Sequence, residues 1–214
     1  MVVAPFVSWW DSHYWKAYEA VCGIRKSRRE ELSEALFTTR VIDLRQSVED
    51  LASDLRKGHR SDVKRSLHDF HVRVIQDQEK MEQFRRMHIG VSGRETRPKA
   101  SWDLMADWMR QGHLVLVGAV EAKASTDADE WIGFAAFYVW GRWAYYGSSA
   151  TTAPRVSHGL IWTAMLELKR IGVERFEIGW QQEAESEKGK RIEFFKRGFG
   201  GVDVPAAQGE HGWA

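Results

Sequence analysis

The chain has 214 residues, enough to bury a sizeable core, and its 31 Lys and Arg residues nearly balance its 30 Asp and Glu residues. The net charge of +1 excludes a protein that binds nucleic acid through its overall charge, so any basic patch must be local. A single cysteine, Cys22, excludes a disulfide framework, and no segment approaches the roughly 18 to 20 apolar residues of a membrane span. A cytoplasmic protein is predicted.

Residues 1–40 are predicted to form an aromatic and basic N-terminal extension. Trp9, Trp10 and Trp15 cluster near its beginning, and a basic stretch follows at 25–34. Large aromatic side chains provide much of the contact area where protein surfaces pack together. We therefore expect the extension to dock on the body of the protein or on a partner, which could be a second copy of the chain.

A strand and two helices are predicted after this extension. Val41–Leu44 is typical of a strand. Ser47 followed three residues later by Asp50 is a capping signature, which predicts a helix that ends near Gly58. A second helix is predicted over 59–67.

Basic side chains fall on and just before this second helix, where residues three and four apart are neighbours. A solvated surface is the more common role of such a face, and contact with phosphates is the alternative. The candidate residues for nucleic-acid contact are Arg56, Arg60, Lys64 and Arg65.

The middle of the chain predicts a strand at 71–75, helices at 78–88 and 101–111, and then three strands. Because the connections between these three strands are short, they should form an antiparallel meander, with Gly141 and Arg142 as a tight turn. The three strands are 114–119, 131–140 and 143–149.

A crossover unit is predicted next. Apolar residues recur at helical spacing over 160–171, Gly172 ends the helix, and 175–178 is typical of a strand. A strand, helix, strand unit places two parallel strands side by side, and ligands gather at the carboxyl ends of such strands. The site is therefore expected where 143–149 and 175–178 end.

Several short motifs lie along this order of elements, and together they resemble the acetyltransferase-like domain of the FemABX family over roughly residues 40 to 201. The closing segment, Phe195-Lys-Arg-Gly-Phe-Gly200, has the highest specificity. The other motifs are Val41-Ile-Asp-Leu44, Leu55–Arg60, Val63–Arg65, Tyr146–Ser149, Leu160–Trp162, Gly172 and Phe176–Gly179.

The resemblance implies an α/β (α+β) fold with a GNAT-like, largely antiparallel central sheet flanked by helices over 41–201, leaving 202–214 as a flexible tail. It also implies an acyltransferase or aminoacyltransferase that joins an activated acyl group to a small-molecule or peptide amine. The matching lysine, Lys196, would stabilise the acyl donor or its phosphate-bearing carrier. Acyl-CoA and aminoacyl-tRNA are the expected co-substrates, with no tightly bound cofactor.

Acyl transfer to an amine requires a donor held nearby and hydrogen bonds for the tetrahedral oxyanion, but neither a dedicated nucleophile nor a metal. Glu177 could act as a base if its pKa is raised, although a lone carboxylate on a strand is more often solvated or paired. The strand around Gly147 could equally be a close-packed interior strand. The candidates are Lys196, Glu177 and Tyr146 for catalysis, and Ser148, Ser149, Arg155, Phe195 and Trp180 for binding the donor.

The turn into the crossover helix, Ala153–Gly159, keeps a leading basic residue in Arg155 but lacks a glycine-rich phosphate loop. This departure argues against a routine acetyl-CoA enzyme. About forty residues precede the matching segment, which leaves no room there for the complete first domain of the family's peptidyltransferases. The alternative is therefore a noncatalytic, truncated relative that acts as a binding or dimerisation module.

Overall fold

The computed structural model describes residues 37–122, 130–180 and 187–206. Within these ranges the chain forms a central sheet with helices on both faces. The helices are α1 (Val48–Asp54), α2 (Lys57–Asp69), α3 (Lys80–Ser92), α4 (Lys99–Arg110), α5 (Val156–Arg170) and α6 (Glu187–Arg197). The strands are β1 (Phe37–Asp43), β2 (Phe70–Ile75), β3 (Leu114–Glu121), β4 (Trp131–Trp140), β5 (Trp143–Thr151), β6 (Arg175–Trp180) and β7 (Val202–Ala206).

The seven strands follow the order β2-β3-β4-β5-β6-β1-β7. The β5 and β6 strands are parallel, as expected for a crossover through α5, and every other neighbouring pair is antiparallel. The predictions of a mixed, largely antiparallel GNAT-like sheet, of the β3-β4-β5 meander and of its two-residue turn are therefore confirmed. Gly141 makes that turn with a positive φ of 57° between the paired residues Trp140 and Trp143.

Apolar residues alternate along β4 and supply two cores, one on each face of the sheet. On one face, Phe137 packs in a cluster with residues of α1, α2 and α5, and this cluster includes Phe176 and Phe199. On the other face, Phe134 packs with Phe84 of α3 and with residues of α4. The sheet is therefore the middle of three layers.

Three boundaries differ clearly from the sequence prediction. The helix expected to end near Gly58 ends at Asp54, and Gly58 lies inside α2. The first strand begins at Phe37, and Val202–Ala206, predicted to belong to a flexible tail, forms β7 beside β1. Pro205 is compatible with this strand because β7 is at the edge of the sheet, where a missing N–H is tolerated. The ladder to β1 stabilises a segment that has weak strand propensity of its own.

The remainder of the predicted extension, 1–36, and the end of the predicted tail, 207–214, lie outside the described residues. No helix within the described ranges is both long enough and apolar enough to span a bilayer.

Candidate functional site

The two parallel strands separate soon after they meet. The ladder between β5 and β6 has three pairs, from Trp143–Arg175 to Tyr145–Glu177. Both strands then continue, β5 to Thr151 and β6 to Trp180, without further pairing between them. Backbone groups on facing, unpaired strand edges can hydrogen bond to a ligand, so the gap between these two central strands is the candidate site.

A β-bulge follows the last shared pair in each strand. In β5 the extra residue is Gly147, where an added methyl group would lie 2.3 Å from the ring of Tyr138. In β6 the register with β1 shifts so that Ile178 is the extra residue, and Gly179 follows with a φ of 99° that strongly favours glycine. Bulges bend a strand and increase its twist, which accounts for the end of the pairing.

The last pair places Tyr145 and Glu177 on the same face of the sheet, because directly opposite residues point to one side. Glu177 is only 1% exposed, and its Oε1 accepts a hydrogen bond of 2.8 Å from the Thr39 hydroxyl on β1. A carboxylate buried this deeply requires such partners.

Lys196 extends from the last turn of α6 towards the same place. A methyl group added at Gly179 would lie 2.8 Å from Lys196 Nζ and 3.5 Å from the Tyr145 hydroxyl oxygen, so both polar groups lie over the bare backbone of β6. Burial lowers the pKa of Lys196, while the carboxylates of Glu177 and Glu193 act in the opposite direction.

The structure therefore brings together two of the three predicted catalytic residues, Lys196 and Glu177. The third, Tyr146, points to the opposite face, where its ring stacks on Phe137 at 5.4 Å and its hydroxyl pairs with Ser149 at 2.5 Å. Burial raises the pKa of Tyr146, and the hydrogen bond to Ser149 partly offsets this. Tyr146 and Ser149 thus belong to the core side of the gap.

Ser148 points to the same face of the sheet as Tyr145. The extra residue at the bulge, Gly147, shifts the alternation of side chains along β5 by one residue. Its register partner, Ala136, belongs to the same core cluster that Tyr145 packs against. The hydroxyl oxygen of Ser148 is buried and has no hydrogen-bond partner among the described residues. This hydroxyl can donate to or accept from a group that enters the gap.

The other predicted donor-binding residues lie elsewhere or are not described. Arg155 is exposed at the N-terminus of α5, with its guanidinium 3.4 Å from Asp69 and a left-handed φ of 66°. Phe195 packs against His59 and His158, with ring centroids 5.5 and 5.0 Å away. The Trp180 side chain lies outside the described part of the structure.

The four predicted nucleic-acid residues divide into two groups. Arg56 donates to the carbonyl of Phe194, and Arg60 donates to the carbonyl of Ser53, so these two guanidiniums hydrogen bond within the chain. Lys64 and Arg65, in contrast, are exposed on α2.

Sequence reasoning missed three residues of this site: Tyr145, Thr39 and Gly179. Tyr145 and Tyr146 are adjacent in sequence, and only the pairing to Glu177 decides which of them faces Lys196. The signal for Gly179 was its place directly after an apolar strand, where glycine often marks a bulge or a close approach. Within the described ranges, no three His, Cys, Asp or Glu residues are grouped closely enough to bind a metal ion.

No protein-family model matches the chain, and no curated protein matches it in sequence. Among solved structures, FemX matches with a TM-score of 0.63 and 11% identity, over 79% of this chain and 59% of FemX. L-PGS from Bacillus licheniformis matches with a TM-score of 0.57 and 12% identity, over 79% of this chain and 58% of that one.

The C-terminal domain of a proposed lysylphosphatidylglycerol synthetase from Agrobacterium fabrum gives a TM-score of 0.54 and 16% identity, over 84% of this chain and 62% of that one. The chain thus spans less than two thirds of each of these structures. Identities this low establish the fold alone. The resemblance expected from the sequence is confirmed at this level: the chain has the fold of FemX and of these two proteins.

Proposed function

We propose that the protein transfers an activated acyl or aminoacyl group to an amine at the gap between β5 and β6. The observation that carries this proposal is the position of Lys196, whose ammonium group lies over Gly179, beside Tyr145 and the buried Glu177, where the two strands separate. Lys196 is half-buried, and a partly desolvated lysine beside a carboxylate in a gap of the sheet is a candidate functional group.

The reaction balances without an oxidant or reductant. The acceptor amine enters neutral, and its lone pair attacks the carbonyl carbon of the donor to form a tetrahedral oxyanion. The bond from that carbon to the CoA sulfur or to the tRNA ribose oxygen then breaks. The leaving group takes up the proton that the amine loses, which gives an amide and a free thiol or hydroxyl.

Lys196 donates a hydrogen bond to the oxyanion in this scheme, and a positioned donor of this kind is most effective in a site that excludes water. Glu177 is too deeply buried to reach the amine in this conformation, and it holds the charge of Lys196 in place. Tyr145 and Ser148 provide hydroxyls on the same face for binding the donor.

Two donor classes fit the proposal, an acyl-CoA and an aminoacyl-tRNA. The second is supported by the fold match to a domain named for lysylphosphatidylglycerol synthesis and by the exposed Lys64 and Arg65 on α2. Both donors occur in the cytoplasm, where we place the reaction. The acceptor is a small-molecule or peptide amine, and the protein could work as a homodimer.

The test substitutes Lys196 by Ala and follows consumption of acetyl-CoA, as released thiol, and of bulk aminoacyl-tRNA, as transfer of the labelled amino acid from tRNA to the acceptor, with a panel of amines and short peptides. We expect transfer to fall on the order of 10² to 10³-fold, the usual effect of removing one oxyanion donor. The thermal midpoint should stay within a few degrees.

Lys190→Ala is the matched control, because Lys190 lies on the same helix, is exposed and pairs with Glu187 at 3.0 Å on the surface. It should leave transfer unchanged. Full activity of Lys196→Ala would refute the catalytic role. If neither donor raises the thermal midpoint of the wild type, a noncatalytic binding module is the better description.

A further inference from the structure

Residues at the start of α2 hydrogen bond to the C-terminal end of α6. The backbone N–H of Arg56 donates to the carbonyl of Gly198 at 3.0 Å, and its guanidinium donates to the carbonyl of Phe194 at 3.2 Å. His59 Nε2 lies 2.8 Å from the carbonyl oxygen of Phe195. The final carbonyls of a helix have no partners within that helix, so these contacts fix where α6 ends.

The hydrogen bonds of His59 define its protonation state. A guanidinium can only donate, so the Arg56 group 3.1 Å from His59 Nδ1 makes this nitrogen an acceptor. The ring proton is therefore on Nε2, which donates to Phe195. His59 is 4% exposed, and burial lowers its pKa, in agreement with a neutral ring.

The packing around His59 explains a glycine in the closing segment of the chain. A methyl group added at Gly198 would lie 2.2 Å from His59 Nε2, so a side chain there would displace the imidazole. The rings of Phe199 and Phe195 lie 4.9 and 5.5 Å from the same imidazole. The imidazole therefore fills the space beside the segment 195–199 that the absent side chain of Gly198 leaves.

We propose that His59 is a positioning residue for Lys196. His59 binds the carbonyl of Phe195, and Phe195 directly precedes Lys196. The orientation of this turn therefore sets the direction in which Lys196 extends towards Gly179. In this role His59 acts through the carbonyl of Phe195 and takes no part in the chemistry itself. The assignment rests on the proposed function of Lys196.

The test compares His59→Gln with His59→Met in the full chain. The two side chains have nearly the same length and volume, but only glutamine has an amide N–H that can replace Nε2 as a donor to Phe195. Gly198→Ala perturbs the same contact from the opposite side with a single methyl group. Its control is Gly58→Ala on α2, where an added methyl group meets nothing within 4 Å.

The readout is the titration of Lys196, followed by NMR of protein labelled with ¹³Cε-lysine, together with the transfer assay. In His59→Met and Gly198→Ala, the Lys196 side chain should move away from Gly179 into solvent and titrate at higher pH, because burial is what lowers its pKa most. Transfer should fall on the order of 10²-fold, mainly in kcat, as for a displaced catalytic group. His59→Gln and Gly58→Ala should resemble the wild type.

An unchanged Lys196 titration in a folded His59→Met protein would overturn the inference. If that variant does not fold, an unchanged titration in Gly198→Ala overturns it equally. If the titration moves as expected while Lys196→Ala still transfers at the wild-type rate, the positioning role of His59 stands and the proposed function falls.

Discussion

At the scale of single residues, the buried carboxylate of Glu177 acts on the pKa of the neighbouring Lys196. Burial lowers the pKa of Lys196, and Glu177 is the first of two carboxylates that oppose this effect. Glu177 is itself fixed by the hydrogen bond from Thr39. The negative charge of Glu177, held by β1, therefore favours the charged form of the half-buried Lys196.

Glu177→Gln should shift the alkaline limb of the transfer profile to lower pH. If Lys196 is the proposed oxyanion donor, transfer should decline as pH rises through its pKa, because the ammonium then loses the proton that it donates. Glu177 raises this pKa, so a neutral amide of the same shape lets it fall further. The measurement is kcat against pH for the wild type and the variant.

Glu193→Gln provides the comparison, because Glu193 is the second and weaker of the two carboxylates that raise the pKa of Lys196. Its alkaline limb should move in the same direction by a smaller amount. A limb that stays in place or moves to higher pH in Glu177→Gln would show that Lys196 is not the group whose deprotonation ends activity.

At the scale of elements, the gap depends on two strands that stop pairing at the same level. The bulges at Gly147 and Ile178 both follow the last shared pair, and Gly179 then offers a surface without a side chain to Lys196. The parallel pairing brings the strands together, and the bulges open them.

Gly179→Ala should abolish transfer as well as reduce stability. A non-glycine residue at its φ of 99° costs roughly 1 to 2 kcal/mol, and the added methyl group meets Lys196 Nζ at 2.8 Å. Urea unfolding and the transfer assay measure the two effects separately.

Gly112→Ala is the matched control, because Gly112 has a φ of 78° and an added methyl group there meets nothing within 4 Å. It should lose a similar amount of stability while transfer remains. Equal activity of the two glycine variants would mean that the place of Lys196 over β6 does not matter for the reaction.

At the scale of the whole molecule, a net charge of +1 requires any tRNA contact to come from a local patch. The structure leaves Lys64 and Arg65 exposed on α2, while Arg56 and Arg60 hydrogen bond within the chain.

Lys64→Glu should weaken the binding of aminoacyl-tRNA and reduce the slope of log K against log salt by about 1, the effect of losing one phosphate contact. Filter binding at several salt concentrations measures the slope. Arg94→Glu changes the net charge equally at another exposed position, between α3 and α4, and should leave the slope unchanged. Equal effects of both variants would exclude a local contact at Lys64.

Periodicity alone predicted most of the elements, because apolar residues recur at helical or strand spacing wherever one side of an element is buried. The N-cap at Ser47 was also predictable, because a capping contact joins residues three apart in the sequence. The Ser47 hydroxyl accepts from the N–H of Asp50 at 3.0 Å. Strand β7 was missed because its pairing partner, β1, is more than 150 residues earlier in the chain.

The sequence by itself determined that a strand, helix, strand unit precedes the segment that carries Lys196. It also determined that Glu177 alternates with apolar neighbours. Only the tertiary structure decided that Tyr145, rather than Tyr146, shares a face with both, because one-residue bulges reset side-chain alternation and leave little trace in the sequence. It also decided that His59 lies against Gly198, a contact across 139 positions of sequence. Local patterns fix the elements, whereas the site depends on register and on distant contacts that no local pattern encodes.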